Sequence, residues 1–120
     1  MNPNKVFRSS VVDDVLIVEL VGVVSSLADD SINRELDSVR ERLRNGGQVK
    51  VVIDLGQVAY FGSSMLEAIR GLWNELTPLN GRLVLCNASE VGREILQIAK
   101  FDHLWPLVGS RDDALKLLHA

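Results

Sequence analysis

The sequence predicts an α/β domain: a mixed β-sheet of about five strands with about four α-helices packed on it, wound as a right-handed β-α superhelix. Three observations predict it. Two β-branched runs separated by an Asp-Asp pair open the chain, compact apolar runs then alternate with segments of helical period, and 120 residues suffice for one core and no second. Strands joined through helices need crossover connections, which are right-handed almost without exception, so successive β-α units wind in one sense onto one sheet. The whole chain, residues 1–120, is read as a single domain.

Residues 6–10 and 15–21 read as strands, with Asp13-Asp14 supplying turn chemistry between them, and so form a hairpin. From residue 29 to 45 the period changes: Ile32, Leu36, Val39 and Leu43 recur at helical spacing, and Gly46-Gly47 stops the helix. Residues 49–54 (VKVVID) form a short apolar run ending in a carboxylate, as a buried parallel strand does. Residues 64–79 follow as a helix with a stripe of Leu66, Ile69, Trp73 and Leu76, limited by Pro78, and Gly81 ends the loop. Residues 82–86 (RLVLC) are a further strand, and residues 90–100 a helix with Val91, Ile95 and Ile98 on one face. Residues 105–108 make a last short strand, after which Ser110 caps a helix carrying Ala114, Leu115, Leu117 and Leu118.

Composition narrows the function classes. Hydrophobic residues at 47% and charged residues at 24% set aside disordered, collagen-like and coiled-coil classes. The net charge of -3, from 13 Lys+Arg against 16 Asp+Glu, offers no basic surplus for nucleic-acid phosphates, so no direct nucleic-acid partner is expected. The longest apolar run, residues 15–24, is broken by Glu19 and Gly22 and falls short of the ~20 residues that span a bilayer, so no membrane insertion is expected. No signal-like apolar segment follows the amino terminus, and a cytoplasmic location is the expectation. Cys86 is the single cysteine and His103 and His119 the two histidines, too few for a disulfide or a zinc site; no metal and no cofactor are expected.

Catalytic chemistry finds little to work with. Ser63 with Asp102 and His103 is the one hydrolase-like grouping, but adjacent Asp and His side chains diverge and no G-x-S-x-G elbow surrounds the serine. Walker and G-x-G-x-x-G loops are absent, so a nucleotide lacks its cradle of amides. No catalytic residue is assigned, and the chain is not expected to be an enzyme.

The segment 54–67 (DLGQVAYFGSSMLE) is a strand end, a tight connection and a helix start, with small polar residues gathered at that start. Binding sites of α/β sheets lie beyond the carboxyl ends of strands, and a helix N-terminus offers unpaired N–H groups and a positive dipole end. A hydroxyl placed there tolerates the charge of about -1.5 to -2 that a phosphate brings. Two capping frames fit. In one, Ser64 with Glu67 forms an S-x-x-E capping box and Ser63 lies one residue outside; in the other, Gly62 caps, Phe61 staples onto Leu66, and both serines occupy the first turn.

These residues resemble a known family. The runs 51–55 (VVIDL), 61–66 (FGSSML) and 81–87 (GRLVLCN) look like the STAS domain of bacterial anti-sigma-factor antagonists. Residues 20–23 (LVGV) and 101–107 (FDHLWPL) resemble further stretches of the family pattern, so the likeness spans nearly the whole chain. It implies the SpoIIAA-like fold and a protein that binds an anti-sigma factor, itself a serine protein kinase, until phosphorylation abolishes binding. Transcription is then regulated indirectly, and a phosphatase is a further partner of such a cycle. The family motif reads approximately D-S-S/T-G-L, and its phosphorylated first hydroxyl falls on Ser63, with Ser64 as the alternative. Gly62 stands where the family has the acid, Met65 where it has glycine, and Ser25 near a usual acidic position after the second strand.

The partner-binding residues so expected are Ser25, Gly62, Ser63, Ser64, Met65 and Asn87, the last lying on the same rim as Ser63. An outward Met65 alters the partner surface, whereas an inward one fills a gap in the core. Cys86 is read as a small buried apolar residue, Trp73 as core, and Trp105 as partly exposed and available to a partner. The alternatives are a constitutive scaffold or ABC-transporter accessory subunit that is never phosphorylated, and a small-ligand or nucleotide module of the same fold, which the missing phosphate loop disfavours.

Overall fold

The computed structural model describes residues 7–20, 29–46, 49–57 and 63–119. Five strands form one sheet in sequential order: β1 (Phe7–Val12), β2 (Val15–Leu20), β3 (Lys50–Asp54), β4 (Arg82–Cys86) and β5 (Leu107–Val108). β1 and β2 pair antiparallel as the predicted hairpin, and every later pairing is parallel. The helices are α1 (Asp29–Gly46), α2 (Ser63–Leu76), α3 (Glu90–Ile98) and α4 (Arg111–His119). The hairpin extends to Val12 because Val12 pairs with Val15 across a two-residue turn, in which Asp13 takes the left-handed conformation that aspartate tolerates.

Strand alternation divides the core in two. Leu16, Val18, Leu20, Val51, Ile53, Leu83 and Leu85 meet α1, α2 and α3 on one face, while Val15, Ile17, Val52, Val84 and Cys86 meet Ala114 and Leu118 of α4 on the other. Sequential parallel strands joined by crossovers of one hand put their helices on one face, which leaves the second face to α4. Each fully buried aliphatic side chain contributes about 1.5–3 kcal/mol of apolar burial, so both layers are needed to cover the sheet. Arg44 joins α1 to α2 through Glu75 at 2.9 Å.

Four expectations are corrected. The core face of α2 is Met65, Ala68, Ile69, Leu72 and Leu76, while Leu66 and Trp73 are partly buried at its border. On α3 the buried residues are Gly92 and Leu96, whereas Val91 and Ile98 are 50% and 83% exposed. A 3.6-residue period allows two adjacent stripes that share Ile95, and the packed one carries Gly92 and Leu96. Trp105, expected to be partly exposed, is 2% exposed, edge-on to Phe101 at 4.8 Å and to Trp73 at 6.1 Å between ring centroids. The helix of α2 also ends earlier than predicted: Thr77–Leu79 tighten into a 3-10 turn at Pro78, and Asn80 in the left-handed region closes it.

Candidate functional site

The carboxyl ends of β2, β3 and β4 place Glu19, Asp54 and Cys86 side by side in register. Strand alternation turns all three toward α4, whose first residue is Arg111. Asp54 is the one buried charged residue among those described. Its Oδ2 accepts from Arg111 Nη2 at 2.7 Å and Nε at 3.1 Å; its Oδ1 accepts from the Gly56 N–H at 2.9 Å and Asn87 Nδ2 at 3.1 Å. Burial by itself raises the Asp54 carboxyl, but the Gly56 amide, Asn87 and Arg111 outweigh it and hold the group below the usual carboxylate range. Arg111 also reaches Glu19 Oε2 at 3.5 Å, tying three elements together.

This cluster anchors the start of the β3–α2 connection. The Leu55 N–H donates to the Cys86 carbonyl at 3.0 Å and the Gly56 N–H to Asp54, so the chain leaves the sheet on a fixed course. Asn87, expected to make a local turn bond on this rim, takes a left-handed conformation and reaches across to Asp54 instead. Cys86 is fully buried as expected; burial, then the Asp54 carboxylate, pushes its thiol up to about 12.

α2 begins at Ser63, so Ser63 and Ser64 both lie in its first turn. Their backbone stands beyond the carboxyl edge of the parallel strands, at the positive end of a 14-residue helix. Met65 is a correction to the expected partner surface: it is 0% exposed within the α1–α2–α3 layer, and the inward, gap-filling orientation holds. Ser25 and Gly62 lie outside the described residues.

Asp54 and Arg111 were not singled out from the sequence, although both carry a signal. A carboxylate closing the apolar run of residues 49–54 needs a partner once that end is buried. An arginine at the first position of a helix opposes the dipole that Asp112 and Asp113 satisfy, which marks it for another contact. Ser110 does cap α4 as predicted, accepting from the Asp113 N–H at 3.1 Å. Among the described residues no group of three His, Cys, Asp or Glu side chains could hold a metal ion, and no helix is long and apolar enough to cross a membrane.

A five-stranded mixed sheet with three helices on one face, a fourth on the other and a serine pair opening α2 defines a class that comparison identifies. Residues 7–114 match the STAS domain, and the chain belongs to that family. It is 32% identical over 103 residues to BtrV of Bordetella bronchiseptica, which bears the name of an anti-sigma factor antagonist, covering 86% of this chain and 85% of the relative. The structure of an anti-sigma-factor antagonist (STAS) domain protein from Planctomyces limnophilus superimposes with a TM-score of 0.81 at 26% identity, over 95% of this chain and 98% of that one. The anti-sigma factor antagonist SpoIIAA shares the fold. Its unphosphorylated form gives a TM-score of 0.79 at 17% identity over 94% of this chain and 96% of that one. Its phosphorylated form, a Bacillus protein, gives 0.73 at 16% identity over 93% and 98%.

Proposed function

We propose that the chain is an anti-sigma-factor antagonist that works by reversible protein binding rather than catalysis. It docks on an anti-sigma factor that is also a serine kinase, and phosphorylation at Ser63, or at Ser64 as the alternative, switches it off. The observation that carries this reading is the start of α2 at Ser63, since the amino-terminal end of a long helix, through its backbone amides and dipole, accepts added negative charge. A dianion there leaves the scaffold intact and changes only the surface offered to a partner. An interface built for a neutral hydroxyl then loses affinity through repulsion and desolvation. Ser25, Gly62 and Asn87 are the further partner-facing positions of this proposal, with Asn87 held in place by Asp54. The names of BtrV and the Planctomyces protein, and the existence of SpoIIAA in both phosphorylation states, support it. A cytoplasmic protein that acts on transcription indirectly, recycled by a phosphatase, follows from the same cycle.

The test uses the full chain with an anti-sigma factor kinase and ATP, read by intact mass and site mapping. One phosphate at Ser63 is expected; one at Ser64 selects the alternative. Ser63→Asp should weaken binding to the anti-sigma factor by tenfold or more, about 1.4 kcal/mol, while Ser63→Ala retains it. Equal affinities of the two variants overturn the charge mechanism. Tight binding without phosphate uptake replaces the switch with a constitutive scaffold or an ABC-transporter accessory role.

A further inference from the structure

Asn87 directly follows β4, and its side chain is fixed from three directions. Its N–H donates to the Val108 carbonyl at 3.3 Å, which ties the residue to the end of β5. Its side-chain NH2 turns inward, to Asp54 Oδ1 at 3.1 Å and toward Cys86 Sγ at 3.8 Å. Chemistry sets this orientation, because an ionised carboxylate only accepts and so selects the NH2 end of the amide. A Cβ on Gly56 would stand 3.3 Å from Asn87 Cβ, so the start of the β3–α2 connection packs against the same residue.

The amide oxygen is left pointing away from Asp54. Asn87 Oδ1 accepts no hydrogen bond among the described residues, yet it is not one of the buried polar atoms without a partner, which are Arg40 Nε and Trp105 Nε1; it faces solvent. The residue type fits that role. A φ of 62° favours glycine, asparagine or aspartate, but glycine has no side chain and aspartate would set a second carboxylate against Asp54. Asparagine alone of the three holds the turn, donates to Asp54 and keeps an acceptor over. The exposed charges in the first turns of the adjoining helices, Glu90 on α3 and Asp112 and Asp113 on α4, are acidic, while Arg111 is held by Asp54 and Glu19. An oriented acceptor in an acidic surround suits a cationic donor.

We propose that Asn87 Oδ1 is the specificity-determining acceptor for an arginine or lysine side chain of the anti-sigma factor, and that Asp54 is the positioning residue that holds it ready. The inference rests on the protein-binding role proposed above and names the chemistry of the partner group. Aiming the amide before the partner arrives removes the cost of ordering it on binding. A guanidinium or ammonium group donates to this oxygen with charge assistance, whereas a carboxylate on a wrong partner meets an acceptor and an acidic surround. The contact uses no atom of Ser63, so the acceptor and the phosphate switch can be tested apart.

The test measures the affinity of an anti-sigma factor kinase for the full chain and for its Asn87→Gly, Arg111→Gln and Ser63→Asp variants, at a temperature where all are folded. Asn87→Gly keeps the left-handed turn and removes the acceptor, and should bind about tenfold more weakly. Arg111→Gln takes donors from the same carboxylate without touching the oxygen, and should not weaken binding. Glu90→Gln with Asp112→Asn should slow association severalfold and leave dissociation unchanged. In 13C,15N-labelled protein the Asn87 Cγ signal should shift on complex formation while its NH2 signals hold, a signature that a purely structural asparagine does not give. Parent affinity in Asn87→Gly overturns the inference, as does an equal loss in Asn87→Gly and Arg111→Gln with a static Cγ signal. Unchanged association in the doubly neutralised protein removes the cation. A loss in Asn87→Gly beside parent affinity in Ser63→Asp overturns the phosphate switch and leaves the acceptor standing; the reverse pattern removes the acceptor and leaves the switch.

Discussion

Asp54 and Arg111, 57 positions apart in sequence, meet at 2.7 Å where β3 ends and α4 begins, and both donors of Arg111 converge on the same carboxylate oxygen. The second oxygen is taken by Gly56 and Asn87, so the carboxylate has a donor for each of its four acceptor sites. Such saturation is what allows a charge to be buried beside an apolar layer. It also joins the α4 face of the sheet to the connection that leads into α2.

Removing the two partners should therefore have unequal effects. Asp54→Ala orphans the Asn87 amide and the Gly56 N–H together and should cost about 2–4 kcal/mol. Arg111→Gln leaves Asp54 with two donors and frees a side chain that is already partly solvated, so about 1–2 kcal/mol is expected. Urea unfolding of both variants checks the order. A larger loss for Arg111→Gln than for Asp54→Ala would show that the guanidinium, not the backbone and amide donors, holds the rim together.

The same carboxylate gives the domain an acid limit. Its folded pKa lies below the unfolded value of about 3.9, so the native state binds this proton less readily than the unfolded chain does. The stability it contributes is fully present above the unfolded pKa and is lost as pH falls through the folded one. From pH 8 to about 5 this group adds no slope; below about 5 the urea midpoint should fall. Asp54→Asn should start lower at neutral pH and lose less on acidification, and parallel curves for the two proteins would remove Asp54 as the source.

Much of this fold was legible in the chain because burial on a sheet leaves a direct trace. The apolar runs at residues 49–54 and 82–86 gave the central strands, and the Ser110 cap marked the start of α4. What misled was rotation about helix axes. Val91 and Ile98 have the spacing of a core face, yet Gly92 and Leu96 are the residues that face inward, and apolar spacing alone does not count a glycine toward a buried stripe. Trp105 directly precedes a proline, a setting usually exposed; its burial depends on the neighbouring Phe101 and on Trp73, which comes close only after folding. The serine pair was legible as a helix start. The Asp54–Arg111 link was not, because a contact across 57 residues has no local periodicity.

Cys86 beside that link should be chemically silent. Fully buried and with its thiol pushed up to about 12 by burial and the neighbouring Asp54 carboxylate, it has little thiolate at neutral pH. Native protein should react with a thiol reagent roughly a thousandfold more slowly than the unfolded chain, at a rate set by opening of the sheet. Rising urea should accelerate the reaction in step with unfolding. Fast labelling of native protein would show that the carboxyl edge of β4 opens locally.

Gly81 offers the sharpest steric test of how β4 enters the sheet. Its N–H donates to the Leu76 carbonyl at 2.9 Å, which pins the residue against the end of α2. A Cβ there would stand 2.7 Å from the Val49 carbonyl oxygen, 2.8 Å from Leu76 Cδ2 and 2.9 Å from Leu76 Cβ. The first neighbour is backbone in the strand lead that accepts from Arg82, so it cannot yield without disturbing the β3–β4 ladder. Gly81→Ala should therefore cost about 2–3 kcal/mol, as overpacking against a fixed wall does. Gly109→Ala is the control: its Cβ meets only Asp113 Oδ2, at 3.8 Å, and the lost flexibility of the unfolded chain should leave stability unchanged or raised by up to about 1 kcal/mol. Thermal or urea unfolding distinguishes the pair, and a Gly81→Ala protein as stable as the parent would mean that the α2–β4 connection shifts freely to admit a methyl group.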